Sequence, residues 1–129
     1  MAGIIHCTNP EETAIDLYMG VGGAPEGVLA AAALRCLGGQ MQARLVINND
    51  EQLQRAKRMG VEDVDRVMTH EEMARGDVMF AASGVTDGGL LRGVRFTERG
   101  IITETVVMRS STRTVRYIRA EHHEDGKFI

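Results

Sequence analysis

Apolar and polar residues along this chain fall into two successive patterns. In the first two thirds, runs with helical spacing alternate with short strand-like runs; from Leu90 to Arg119 only strand-like runs follow. The longest helical run covers residues 28–37, opened by Pro25 and stopped by Gly38. Ile15, Asp16, Leu17, Tyr18 and Met19 predict a buried strand ahead of it. After it, Met41, Ala43, Leu45 and Ile47 share one face, as in a strand over residues 41–47. Asp50 is the predicted cap of a helix running through Met59 and closed by Gly60, with Leu53, Ala56 and Met59 on one stripe. Residues 64–68 predict a short strand. Thr69-His70-Glu71-Glu72 reads as a capping box opening a helix to Arg75.

Residues 78–82 predict a further strand, and Thr86-Asp87-Gly88-Gly89 a turn. At least three strands follow, with turns near Glu98-Arg99-Gly100 and Ser110-Ser111. At the N-terminus, residues 3–7 are short and apolar and suit a strand or a helix equally. Thr8-Asn9-Pro10-Glu11-Glu12 is a turn with a new helical start. The polar tail, residues 121–129, is expected to fray. This order predicts a layered α/β domain with a mixed sheet: a parallel part, then an antiparallel C-terminal edge.

Composition narrows the function classes. A chain of 129 residues suits one domain with a real core. Its 43% apolar and 26% charged residues are ordinary for a globular protein. Two Tyr, three Phe and no Trp leave little for base stacking, and a net charge of −3 does not favour nucleic acid or a membrane surface as a partner. No apolar run has the length of a membrane span, and the first residues lack the basic start and long apolar core of a signal peptide. Cys7 and Cys36 form no disulfide framework, and Cys36 in its alanine-rich run is expected to be a buried free thiol. Together these features suit the cytoplasm.

The densest chemical signal is Val21-Gly22-Gly23-Ala24-Pro25-Glu26-Gly27, at a strand-to-helix turn. Glycines there free backbone N–H groups for concave anion-binding arrangements. Pro25 suits the first helical position, and Glu26 places a hard carboxylate on the first helical turn. Such a turn can hold a phosphate and a divalent cation together. The commoner uses of these residues are plainer: a glycine pair that only turns the chain, and an acid that faces the helix dipole for about 0.3–1 kcal/mol. A dinucleotide loop is a poor match, because Pro25 stands at its third glycine position.

From Gly20 to Val28 the residues Gly-Val-Gly-Gly-Ala-Pro-Glu-Gly-Val resemble the signature of the class II fructose-1,6-bisphosphatases, metal-dependent bacterial sugar phosphatases. The resemblance extends through residues 31–45, residues 80–91, Thr103-Glu104-Thr105 and Arg109-Ser110-Ser111-Thr112-Arg113-Thr114, and so covers essentially the whole chain. It implies a C-terminal sugar-phosphatase domain spanning residues 1–129. It implies that Glu26 is a ligand of a catalytic Mn²⁺ or Mg²⁺, and that Gly23 lies beside the sugar phosphate. The complete enzyme would hydrolyse the 1-phosphate of fructose 1,6-bisphosphate in gluconeogenesis or carbon fixation. The family's N-terminal Asp-Pro-x-x-Gly-Thr-type motif has no counterpart: of the two prolines, Pro10 and Pro25, neither follows an Asp. The resemblance therefore implies that Met1 is a truncated start, that the catalytic threonine and the other acids lie elsewhere, and that no catalytic residue is present here. The alternative is a non-catalytic assembly or regulatory module, or one subunit of a split enzyme.

Other candidates carry less. Arg92, Arg95, Arg99, Arg109, Arg113, Arg116 and Arg119 make the C-terminal strands basic, opposed by Glu98 and Glu104; an edge-protecting face or a subunit contact is the expectation, with nucleic acid last. His6, Cys7, His122 and His123 match no zinc spacing. The loop from Ser83 to Gly89 follows a strand end, where ligands bind in open α/β sheets, and is a site-lining candidate. A domain separated from its neighbour exposes apolar surface, so a homo-oligomer is expected, through the basic strands or the apolar segment around Ile4 and Ile5.

Overall fold

A computed structural model describes residues 2–123. Helix α1 (Ala2–His6) and the single turn α2 (Pro10–Thr13) lead into a stretch without regular structure, bent at Asp16, and then α3 (Ala24–Leu37). β1 (Gln42–Ala43), α4 (Asp50–Arg58), β2 (Met68–Thr69) and α5 (His70–Met73) follow. The chain then lays down β3 (Met79–Ser83), β4 (Arg95–Thr97), β5 (Gly100–Arg109) and β6 (Thr114–His122).

β5 is the axis of the main sheet. One of its edges pairs along nearly its whole length with β6, from Ile101↔His122 to Arg109↔Thr114. Its other edge is shared: β4 pairs near the start, Phe96↔Ile101, and β3 near the end, Phe80↔Met108. The β4–β5 turn needs Gly100, whose φ of 131° lies in the left-handed half of the map, and whose missing Cβ would collide with the His122 carbonyl of β6.

Strand alternation then sorts the side chains. Val106 and Met108 face one way, with Phe80 and Val115 opposite Met108. α3 covers this face. Ala33 and Cys36 join Ile5, Phe80, Val106 and Met108 in the core, flanked by Leu37, Val78, Ala82, Leu90 and Leu91. Small residues let the helix approach the strands closely: Ala30, Ala31 and Ala33 are fully buried. Each large buried apolar side chain in this layer stabilises the fold by about 1.5–3 kcal/mol. The opposite face of the sheet is bare, with Met79 at 69% and Phe96 at 79% exposure.

The helix-on-sheet layering, the helix ended by left-handed Gly38, the helical start at Pro10 and the C-terminal strands agree with the sequence expectations. Several details differ. There is no parallel part: every strand pairing among the described residues is antiparallel. The strands expected over residues 41–47 and 64–68 shrink to a two-residue ladder, although Met41, Ala43, Leu45 and Ile47 do alternate in burial. Asn49, not Asp50, caps α4, its side chain accepting from the Gln52 N–H at 2.9 Å. On α4, Ala56 is buried but Met59, at the helix end, is 74% exposed. The largest departure is residues 15–19, which form no strand and leave Leu17 and Met19 at 75% and 83% exposure. Glu121 and His122 are strand residues paired to β5 rather than a frayed tail; Met1 and residues 124–129 lie outside the described residues.

Candidate phosphate and metal turn

α3 begins at Ala24, one residue ahead of the position expected from Pro25, with Gly23 as its N-cap at φ −65° and ψ 144°. The first helical bond runs from the Gly27 N–H to the Gly23 carbonyl at 3.1 Å. Pro25 has no N–H to satisfy, and no side chain caps the helix. The N–H groups of the first turn therefore face outward at the positive end of the helix dipole.

Neither Gly22 nor Gly23 takes a left-handed φ, so the concave backbone nest expected of this pair is not formed. Glycine at position 23 has a different reason. A Cβ there would collide with Oε2 of Glu26, whose side chain folds back over the cap residue. The Glu26 carboxylate thus lies across the helix N-terminus rather than out along the helix. Gly22 has open space around it. The whole turn, residues 20–26, is exposed.

α5 supports the turn from the side, with Met73 Cε 3.6 Å from where a Gly27 Cβ would lie. The capping box read from the sequence holds α5: the Thr69 N–H donates to Glu72 at 2.9 Å, and the Glu72 N–H donates to Thr69 Oγ1 at 3.4 Å. The Thr69 backbone donor, aided by the Arg66 guanidinium paired with it, holds the Glu72 carboxyl below its ordinary range. The helix stops at Met73, two residues short of the reach to Arg75 that the pattern suggests.

Among the described residues, no three His, Cys, Asp or Glu side chains come together as a metal site. Glu26 therefore fits a divalent cation only as one ligand of several, since Mg²⁺ requires near-octahedral oxygen coordination. What this turn offers is partial: outward N–H donors for a phosphate oxygen and one carboxylate for a cation beside it.

The remaining candidates are separate from this turn. In the Ser83–Gly89 loop, Ser83 Oγ pairs with Thr105 Oγ1 at 2.8 Å, the Gly84 N–H donates to the Glu104 carbonyl at 2.9 Å, and Asp87 accepts from the Gly93 N–H at 2.8 Å. Its polar groups hold the loop against the sheet, and the His6 ring packs on Gly89. The histidines do not gather: His122 pairs with Thr103, and His123 with the Arg99 carbonyl. Cys36 is a buried free thiol, as expected, and burial pushes its pKa up.

The arginines divide between the two faces of the sheet. Register puts Arg109 and Arg116 on the bare face, and Arg95 and Arg119 on the other. Arg95 pairs with Glu104 and Arg119 with Glu121, each at 2.8 Å. The Glu104 carboxylate also accepts from the Arg92 N–H at 3.2 Å. Glu104 is thus a local organiser that the sequence pattern alone did not single out; only strand register brings these groups together. Ile5 is in the core at 4% exposure, while Ile4 beside it is partly exposed.

A helix laid on an antiparallel sheet, with a Gly-Gly-Ala-Pro-Glu helix start offering outward N–H donors and one acid, defines an α/β protein. Comparison with known proteins gives that class its family. Residues 1–122 match the family described as bacterial fructose-1,6-bisphosphatase, glpX-encoded, and the chain belongs to it. It is 46% identical over 128 residues to the D-fructose 1,6-bisphosphatase class 2/sedoheptulose 1,7-bisphosphatase of Synechococcus sp. (strain JA-3-3Ab), covering 89% of this chain and 37% of that protein. To the protein of the same description from Crocosphaera subtropica it is 41% identical over 131 residues, or 91% of this chain and 38% of that one. The chain thus spans little more than a third of the length of these relatives. Among the described residues, no helix is long and apolar enough to cross a membrane.

Proposed function

We propose that this chain is the C-terminal part of a cytoplasmic, metal-dependent fructose-1,6-bisphosphatase that hydrolyses the 1-phosphate of fructose 1,6-bisphosphate. The observation that carries this reading is the Glu26 carboxylate folded over Gly23 at the start of α3. Glu26 supplies one ligand to Mn²⁺ or Mg²⁺, and the sugar phosphate lies beside Gly23 at the helix N-terminus. A cation held there neutralises phosphate charge and stabilises the charge that develops in hydrolysis. The other acids and the attacking group come from the two thirds of the relatives' length that this chain does not cover. The relatives' names add sedoheptulose 1,7-bisphosphate as a second sugar bisphosphate of the same chemical type. The free thiols of Cys7 and Cys36 suit a reducing compartment. Arginines split between two sheet faces make no continuous stripe for nucleic acid. The bare sheet face, with Met79, Phe96, Arg109 and Arg116, is the surface through which we expect homo-oligomers to form.

The test is a chimera in which this chain replaces the matched segment of the Synechococcus enzyme. Glu26→Gln keeps the side-chain shape and removes the charge that a hard cation requires. Activity is expected to fall by at least about a hundredfold, the scale of losing a transition-state electrostatic partner, with partial rescue at high Mn²⁺ and an unchanged melting curve. A dipole-facing acid would instead cost about 0.3–1 kcal/mol of stability and little activity. Near-normal turnover at ordinary Mn²⁺ would show that Glu26 is structural.

A further inference from the structure

The stretch between α2 and α3 has the chemistry of a strand without a sheet. No backbone group of residues 15–22 makes a hydrogen bond within the described residues. Yet Ile15, Leu17, Met19 and Val21 recur with the two-residue period of a strand. Three of them are bare, Leu17 at 75%, Met19 at 83% and Val21 at 85% exposure. The intervening Tyr18 turns the other way, its Cε2 only 2.8 Å from where a Gly3 Cβ would lie, so its ring rests on α1. The segment is thereby held on one side and open on the other. An exposed apolar strand with unpaired N–H and C=O groups is a template for another chain, and soluble proteins cover or blunt such edges.

We propose that residues 15–21 are a docking strand, and that the occupant is the polypeptide making up the other two thirds of the family's length, which adds a strand to them. Strand addition satisfies the main-chain groups, while alternate side chains provide specificity. Two observations favour this occupant over a second copy of the chain. This chain covers 37% and 38% of the length of the relatives it matches, so in them most of the polypeptide lies outside the matched segment. The segment also runs directly into Gly22, Gly23 and Glu26, so a strand added here ends beside the turn that lacks its other metal ligands. The proposal rests on the bisphosphatase reading for the partner's identity, but not on any activity of the complex.

The experiment is amide hydrogen exchange on this chain, alone and with the portion of the Synechococcus relative lying outside the matched segment. Alone, amides of residues 15–21 should exchange near unprotected rates while those of β5 are slow. With the partner polypeptide they should slow by at least about a hundredfold, as buried strand amides do. The exposed pair Leu17→Lys with Met19→Lys should weaken the complex at least about tenfold, the scale of losing buried apolar contacts, whereas Glu26→Gln should bind as the parent does. If the partner polypeptide does not fold alone, the same exchange is read in a single-chain fusion. No complex, a complex with residues 15–21 still unprotected, or protection of those amides through self-association without the partner would each overturn the proposal. A complex that protects residues 15–21 but hydrolyses no sugar bisphosphate would refute the bisphosphatase reading and leave this one standing. Turnover with those amides unprotected would do the reverse.

Discussion

At Gly23 the need for glycine is spatial rather than torsional. Its φ of −65° is open to any residue, but the Glu26 carboxylate occupies the space of a Cβ. Because that carboxylate is the far end of a flexible side chain, Gly23→Ala should fold with little change in stability while turning Glu26 off the helix N-terminus. We expect the chimeric enzyme carrying this substitution to need at least about tenfold more Mn²⁺ for half-maximal activity, as for a displaced metal partner, with its melting temperature within a few degrees of the parent. An unchanged Mn²⁺ requirement would show that the close approach is incidental. The residues of this turn were legible in the sequence because Pro and Glu are both favoured in the first turn of a helix and a glycine pair marks the turn before it. Their arrangement was not, since whether Glu26 folds back or extends depends on a rotamer that spacing does not encode.

At the scale of elements, local signals read well and pairing signals did not. The Thr69–Glu72 capping box depends on residues three apart and was visible directly. So were the helix stop at Gly38 and the β4–β5 and β5–β6 turns. The strand at residues 15–19 was not realised because a strand needs a neighbour, and none of the described elements supplies one. The parallel sheet part failed for the same reason, as strand direction is a property of pairs.

The capping box makes two predictions. Thr69→Ala removes the cap that orients α5 against α3 and should destabilise the chain by about 1 kcal/mol in a urea melt. Glu72 is held below its ordinary pKa by the Thr69 N–H. A depressed folded pKa means that its contribution is fully present above the unfolded carboxylate value of about 4.3 and is lost as pH falls through the lower folded value. The melting-temperature gap between parent and Glu72→Gln should therefore be constant near neutrality and close in acid. A gap that widened in acid would place the Glu72 carboxyl in a different role.

For the whole molecule, the single acid of the turn decides what the chain does alone. With no metal-holding cluster among the described residues, the purified 129-residue chain should hydrolyse fructose 1,6-bisphosphate at background rates with Mn²⁺ or Mg²⁺. Robust turnover would remove the need for acids from elsewhere. Light scattering should find self-association that survives loss of residues 15–21 as a contact, because the bare sheet face is separate from that segment. Only monomer at high concentration would count against a homo-oligomer.

The open segment between α2 and α3 also bears on how long the chain lasts. Proteases bind substrates as extended backbone, and most of a folded protein must first open locally to offer one. Residues 15–22 already lie open, with no backbone hydrogen bonds to break among the described residues. A partnered chain would hide its cleavage site and a solitary one would display it. Cutting there would separate α1 and its core residue Ile5 from α3 and the sheet. Abundance would then follow assembly, with surplus copies cleared before they accumulate.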